Sequence, residues 1–126
     1  MVKDVSEYKG VYTVSDDFIA ECLGWTAIKS WGGRGRRGVP PWSKNGRHES
    51  VPSYGWESGL GSLLSAIAQR HDLSYNVFIL FDTEEREYVA SVNGNTGCHK
   101  KASQALAQAF ILSRGVSLRN AARSSR

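Results

Sequence analysis

Cys98 and His99 stand side by side, and a thiol next to an imidazole is the pairing from which a nucleophile and its general base are made. Their adjacency argues against that use. On an extended chain, consecutive side chains project to opposite faces, so the imidazole cannot reach the thiol. No third residue nearby in sequence completes a triad. The bland alternative, a small residue at a strand-to-helix junction, accounts for Cys98 better. Gly33-Arg34-Gly35-Arg36-Arg37-Gly38 formally matches the G-x-G-x-x-G phosphate loop. That loop works only where a helix starts at once and holds a pyrophosphate on its N-terminus. Here Val39-Pro40-Pro41 forces extended backbone instead, and no second βαβ unit follows. His48 and His71 have no partners at metal-ligand spacing, and Asp82, Glu84, Glu85 and Glu87 read as a solvated hairpin turn. The expectation is no catalytic residue, no metal and no cofactor.

What remains is a basic segment with an aromatic in it. Arg34, Arg36, Arg37, Lys44 and Arg47 surround Trp42 in a Gly- and Pro-rich stretch spanning residues 32–52. Guanidinium forks take phosphate or carboxylate bidentately, and an exposed Trp can stack on a base or fill a protein pocket. A solvated loop with Trp42 folded onto the core is the competing reading. Trp25, Trp31 and Trp56 are expected in the core. The net charge of +4 hides strong segregation: residues 1–23 carry −3, 24–56 carry +5, 57–97 carry −4 and 98–126 carry +6. Arg119 and Arg123 belong to that last basic block. The candidate partner-binding residues are therefore Arg34, Arg36, Arg37, Trp42, Lys44, Arg47, Arg119 and Arg123.

The elements that must position these side chains follow from periodicity. Ser15 caps a short helix with Asp16 and Asp17 in its first turn and Phe18, Ile19, Cys22 and Leu23 on its apolar side. A short strand is expected around Tyr8–Val14, and Trp25, Ala27 and Trp31 mark another. Trp56, Leu60, Leu63, Leu64 and Ile67 fall at helical spacing, with Ser53 as the cap. Val77, Ile79 and Phe81 alternate with Asn76, Phe78 and Leu80; apolar on both faces, this strand is expected to be central. Tyr88, Ala90 and Val92 alternate with Glu87, Val89 and Ser91 as a half-exposed partner, and Asn93-Gly94-Asn95 is expected to end the sheet. Ala102, Ala105, Leu106, Ala109, Phe110 and Leu112 line a last helix, with Gly115 at its C′ position.

The fold class predicted is α+β: an antiparallel sheet of three to four strands packed with three helices, in the order αβ-loop-αββα. Residues 1–115 make one domain, and 116–126 form a basic, mobile C-terminal tail. At 126 residues and 40% hydrophobic content the chain can bury one ordinary core. No apolar run approaches the ~20 residues needed to cross a bilayer, and no secretory leader is visible. A cytoplasmic, non-membrane protein with two reduced thiols is expected. Oligomeric state is not legible in the sequence.

The run VPSYGWESGLGSLLSAIAQR, then YNVFILFD, then EREYVASVNG and the Ala-rich helix resembles the small bacteriophage proteins of the phage ABA sandwich domain family. GWTAIKSW adds the Gly-Trp strand that follows a short first helix there, so the resemblance covers roughly residues 16–115. Where that family has a Tyr-Ser turn, this chain has Ser53-Tyr54-Gly55, and a basic insertion interrupts the middle. The resemblance implies a phage or prophage source and no established enzyme activity. Together with the segregated charge, it leads to the expectation of a phage-encoded, non-enzymatic binding protein. Such a protein would act in the host bacterial cell on a host protein or ribonucleoprotein complex, as an inhibitor of a bacterial defence complex of the anti-CRISPR type. The alternative is a weakly specific nucleic-acid-binding phage accessory protein using basic loop 32–47 and the tail.

Overall fold

The structure is a computed structural model and describes residues 4–27, 42–44, 47–49, 51–69 and 76–123. Strands β1 (Val5–Tyr8) and β2 (Val11–Val14) form a hairpin, followed by helix α1 (Asp16–Cys22). Three short strands, β3 (Thr26–Ala27), β4 (Trp42–Lys44) and β5 (Arg47–Glu49), make a second antiparallel sheet in that order. Helix α2 (Leu60–Ala68) leads to β6 (Val77–Asp82), β7 (Glu87–Val92) and β8 (Asn95–His99), an antiparallel meander. Helices α3 (Ala102–Ser113) and α4 (Leu118–Arg123) close the described chain.

The fold is α+β, as the periodicities predict, with differences that have physical causes. Asn93-Gly94 does not end the sheet. Both residues adopt positive φ, +50° and +84°, the two-residue turn whose twist suits a hairpin, and β8 follows directly. That extra strand reverses the expected exposures. β7 is the central strand, with Ala90, Ser91 and Val92 buried, and β6 lies at an edge with Phe78, Leu80 and Phe81 exposed. The stretch 32–52, expected to lack regular structure, contains β4 and β5. The short strand expected around Tyr8–Val14 is a two-strand hairpin turning at Lys9 and Gly10.

Part of the polar tail is helical: α4 spans Leu118–Arg123. α4 packs on β1 with Leu118 and Ala122 buried. Two apolar residues at i and i+4 lie on one helical face, and that face suffices against a hairpin that already buries Val5 and Val14. Among the described residues there is therefore a fourth α-helix beyond the three expected.

The core is organised around α3, in which every residue from Ala102 to Ile111 is buried. It packs on β7 and β8, and its other sides meet β2, α1, α2 and α4. Its alanines permit this enclosure by letting backbones approach. Gly97 on β8 does the same from the sheet side, because a Cβ there would collide with the Ala105 carbonyl and Gln108. Phe110, Leu106 and Ile111 supply the bulk, each fully buried and worth about 2 kcal/mol of apolar transfer. Gly115 ends α3 with φ +82°, as its C′ position requires.

Candidate functional site

Arg34, Arg36 and Arg37 lie outside the described residues. Trp42, Lys44 and Arg47 fall on β4 and β5, whose backbones pair directly, Lys44 opposite Arg47. Arg119 and Arg123 are both exposed on α4, one turn apart and on one face. Arg119 also borders a groove of about 500 Å³ whose walls include Tyr12, Glu87, Cys98 and Gln108.

Cys98 and His99 are held apart in function by the sheet. Cys98 projects from the face opposite α3, exposed, in a cross-strand row with Val89 and Leu80. Burial raises its thiol pKa, and the Glu87 and Asp82 carboxylates raise it further, so it stays protonated at neutral pH. His99 projects to the other side. Its Nδ1 accepts the Lys101 N–H at 3.0 Å and its Nε2 lies 3.2 Å from Thr13 Oγ1. A ring nitrogen that accepts a backbone N–H is unprotonated, which assigns the proton to Nε2. Burial lowers the His99 pKa, with Lys101 adding to the effect. Cys22, half-buried on α1, is pushed up to about 11, first by burial and then by Glu21. Neither cysteine has the depressed pKa of a nucleophile.

A site the sequence reading missed lies before α2. Trp56 was expected in the apolar stripe of that helix with Ser53 as cap; instead it is 59% exposed. The helix starts later, at Leu60, after a single 3-10 turn at Glu57–Gly59. Ser53 contributes its carbonyl, accepting the Trp56 N–H at 3.1 Å, and its side chain caps nothing. Of the predicted stripe only Leu63 and Ile67 are buried.

The arch from Ser53 to Gly59 is tightly held. Tyr54 is buried, and the Gly55 N–H donates to Asp16 Oδ1 at 2.7 Å while its carbonyl accepts from Gln104 Nε2 at 2.9 Å. A Cβ at Gly55 would sit 2.6 Å from Gln104 Nε2 and 2.8 Å from Asp16 Oδ1, and one at Gly59 would collide with the Ser53 carbonyl. Burial raises the Asp16 pKa, and the Gly55 N–H opposes that shift. The arch therefore presents Trp56 from fixed backbone. Lys101 places its ammonium 5.1 Å from the indole centroid, within the ~6 Å reach of a cation–π contact.

Lys101 also occupies the N-cap of α3, with Lys100 beside it and no acid in the first turn. Cations at that end oppose the helix dipole, each at a typical cost of about 0.3–1 kcal/mol. Stability alone would place acids there. Two signals for this site were in the sequence: Gly55, Gly59 and Gly61 crowd a segment read as helix, and the lysine pair precedes an uncapped one. Among the described residues no group of His, Cys, Asp and Glu is arranged to hold a metal ion. Compared with protein-family models, with curated proteins and with solved structures, the chain matches none.

Proposed function

We propose that this chain is a non-enzymatic binding protein that acts by covering a surface of a partner. The specific form we favour is a phage-encoded inhibitor docking on a host protein or ribonucleoprotein complex, such as a bacterial defence complex. The observation that carries the binding role is Trp56, exposed on backbone locked by Asp16 and Gln104, with the Lys101 ammonium over its ring. Exposed, pre-positioned Trp is the residue type most enriched among interface hot spots, because a rigid anchor loses little freedom on binding. The adjacent lysines favour an acidic rim around the pocket that receives it. The phage source rests on the resemblance of residues 16–115 to the phage ABA sandwich proteins. The opposed faces and raised thiol of the Cys98–His99 pair support a role without covalent chemistry.

A second reading has its own support. Arg119 and Arg123 share one exposed face of α4, and a basic stripe on a helix is a phosphate-binding footprint. The test is capture from bacterial lysate on immobilised parent chain, Trp56→Ala and the double variant Arg119→Ala/Arg123→Ala, with and without nuclease. Partner loss in Trp56→Ala alone, insensitive to nuclease, supports the protein-binding reading. Loss in the arginine variant together with nuclease sensitivity replaces it with nucleic-acid binding.

A further inference from the structure

We infer that the outer edge of β6, which no described strand pairs, is a self-association site, and that two copies pair their β6 strands antiparallel with Ile79 on the two-fold axis. The inference is independent of the partner-binding role assigned to Trp56.

β6 is an edge strand in the order β6-β7-β8, and no described residue pairs with its other side. Its sequence is uncharged from Val77 to Phe81 and contains no proline, so it lacks the devices that usually keep a sheet edge from pairing. Phe78 is 59%, Leu80 49% and Phe81 48% exposed. Contiguous exposure of large apolar side chains beside an open ladder marks an interaction site.

The hydrogen-bonding direction of the strand fixes which groups are on offer. The Asn76 carbonyl accepts the Asn93 N–H at 2.9 Å, and the Asn76 N–H donates to Asn93 Oδ1 at 2.7 Å, so both main-chain groups of residue 76 face β7. Along a strand these directions alternate. Val77, Ile79 and Phe81 therefore aim their N–H and C=O groups at the outer edge, away from β7.

Among registers confined to the strand Val77–Asp82, one antiparallel register uses all of them. With Ile79 opposite Ile79 of the second copy, Val77 faces Phe81, and every free group of the three residues is paired. The same register sets Phe78 against Leu80 on the face away from α3, covering the two most exposed side chains of the strand. At the ends Asn76 meets Asp82, an amide able to donate to a carboxylate. Centring the pair on Leu80 would place Phe78 against Asp82, and centring it on Phe78 would set Phe81 opposite a position before the start of β6.

Charge selects the direction. A parallel pair would set two Asp82–Glu87 turns side by side, each with Asp82, Glu84, Glu85 and Glu87. The antiparallel pair separates them by the strand length, about 20 Å, well beyond the ~8 Å screening length at physiological salt.

Sedimentation equilibrium of the full chain, carrying Cys98→Ser to remove the neighbouring thiol, should show a monomer–dimer equilibrium. Leu80→Lys places a charge at an already exposed position, so it should shift that equilibrium at least tenfold toward monomer with an unchanged circular dichroism spectrum. In the same background, an oxidised equimolar mixture of Phe78→Cys and Leu80→Cys chains should yield a covalent dimer containing one of each. Neither chain alone should yield one. A chain that remains monomeric up to its solubility limit overturns the inference, as does a dimer indifferent to Leu80→Lys. Cross-linking of the Phe78→Cys chain with itself overturns the register.

Discussion

Gln104 on α3 and Val14 on β2, ninety residues apart in sequence, exchange hydrogen bonds as two strand residues would: the Val14 N–H donates to Oε1 at 2.8 Å, and Nε2 donates to the Val14 carbonyl at 2.9 Å. Gln108, one turn on, donates to the Tyr12 carbonyl at 2.6 Å, and its Oε1 accepts the Cys98 N–H at 3.4 Å. These amides satisfy the β2 edge that would otherwise need another strand, which is why the N-terminal hairpin and the β6–β8 meander remain separate sheets. Gln104→Ala should leave the main-chain groups of Val14 and the Gly55 carbonyl unpaired in a buried setting. At about 1–3 kcal/mol per stranded group, a loss of roughly 3 kcal/mol is expected in urea denaturation. Gln104→Glu should lose more at neutral pH, where a carboxylate faces two carbonyls, and recover part in acid, where protonation restores a donor. A variant as stable as the parent would remove Gln104 from this role.

Ser103 presents the opposite situation. Its hydroxyl is fully buried and has no hydrogen-bond partner among the described residues. Ser103→Ala removes a desolvated polar group, keeps the helix and opens no cavity, so the midpoint of thermal unfolding should rise by the equivalent of about 1 kcal/mol. A drop would mean that the hydroxyl has a partner in solution.

Acid should weaken the fold through His99. Its folded-state pKa lies below the ordinary 6.5 because the ring is buried and Lys101 is close. The unfolded chain therefore takes up the proton first. Stability is fully present above pH 6.5 and is lost as pH falls from there through the lower folded-state pKa. Protonation also removes Nδ1 as acceptor for the Lys101 N–H. Melting curves between about pH 7 and pH 5 should shift downward in the parent, and His99→Gln should flatten that slope. Asp16 acts with the opposite sign: burial raises its folded-state pKa above 3.8, so acid stabilises as pH falls through that raised value, and the gain is complete below 3.8. An unaltered slope in His99→Gln would exclude the imidazole as its source.

Trp56→Ala and the triple variant Arg34→Ala/Arg36→Ala/Arg37→Ala separate two possible binding surfaces. Hot-spot truncations cost about 2 kcal/mol or more in binding, roughly a thirtyfold loss of affinity. Trp56 is 59% exposed, so Trp56→Ala should melt within a few degrees of the parent. Surface plasmon resonance with the captured partner should show the larger loss for Trp56→Ala. A parent-like affinity there, with a large loss in the triple variant, would move the main contact to the basic segment. Salt should then weaken binding strongly.

Cys98→Ala should leave binding within twofold of the parent, since the thiol stays protonated and its neighbour His99 faces away. Full loss of biological activity in a folded Cys98→Ala chain would favour covalent chemistry instead.

Local chemistry was legible in the residues themselves. Ser15 capping α1, the alternation of β6 and β7, the Ala-rich α3 and its Gly115 stop are decided by contacts within a few residues, and each stands where its sequence placed it. The side-chain separation of Cys98 from His99 follows from strand geometry alone. What periodicity could not decide is which face and which edge each element presents. Asn93-Gly94 permits either a sheet end or a hairpin, and only the existence of β8 made β7 central and left β6 at the edge with Phe78 and Leu80 exposed. Trp56 has helical spacing with Leu60 and Leu63, but the backbone crowding of Gly59 against Ser53 starts the helix after it and turns the indole outward. Leu118 and Ala122 are too few to fold a tail alone, and they fold one here because β1 offers a face to receive them. In each case the deciding contact joins residues distant in the chain or a backbone approach too close for a side chain, and neither is written in local pattern.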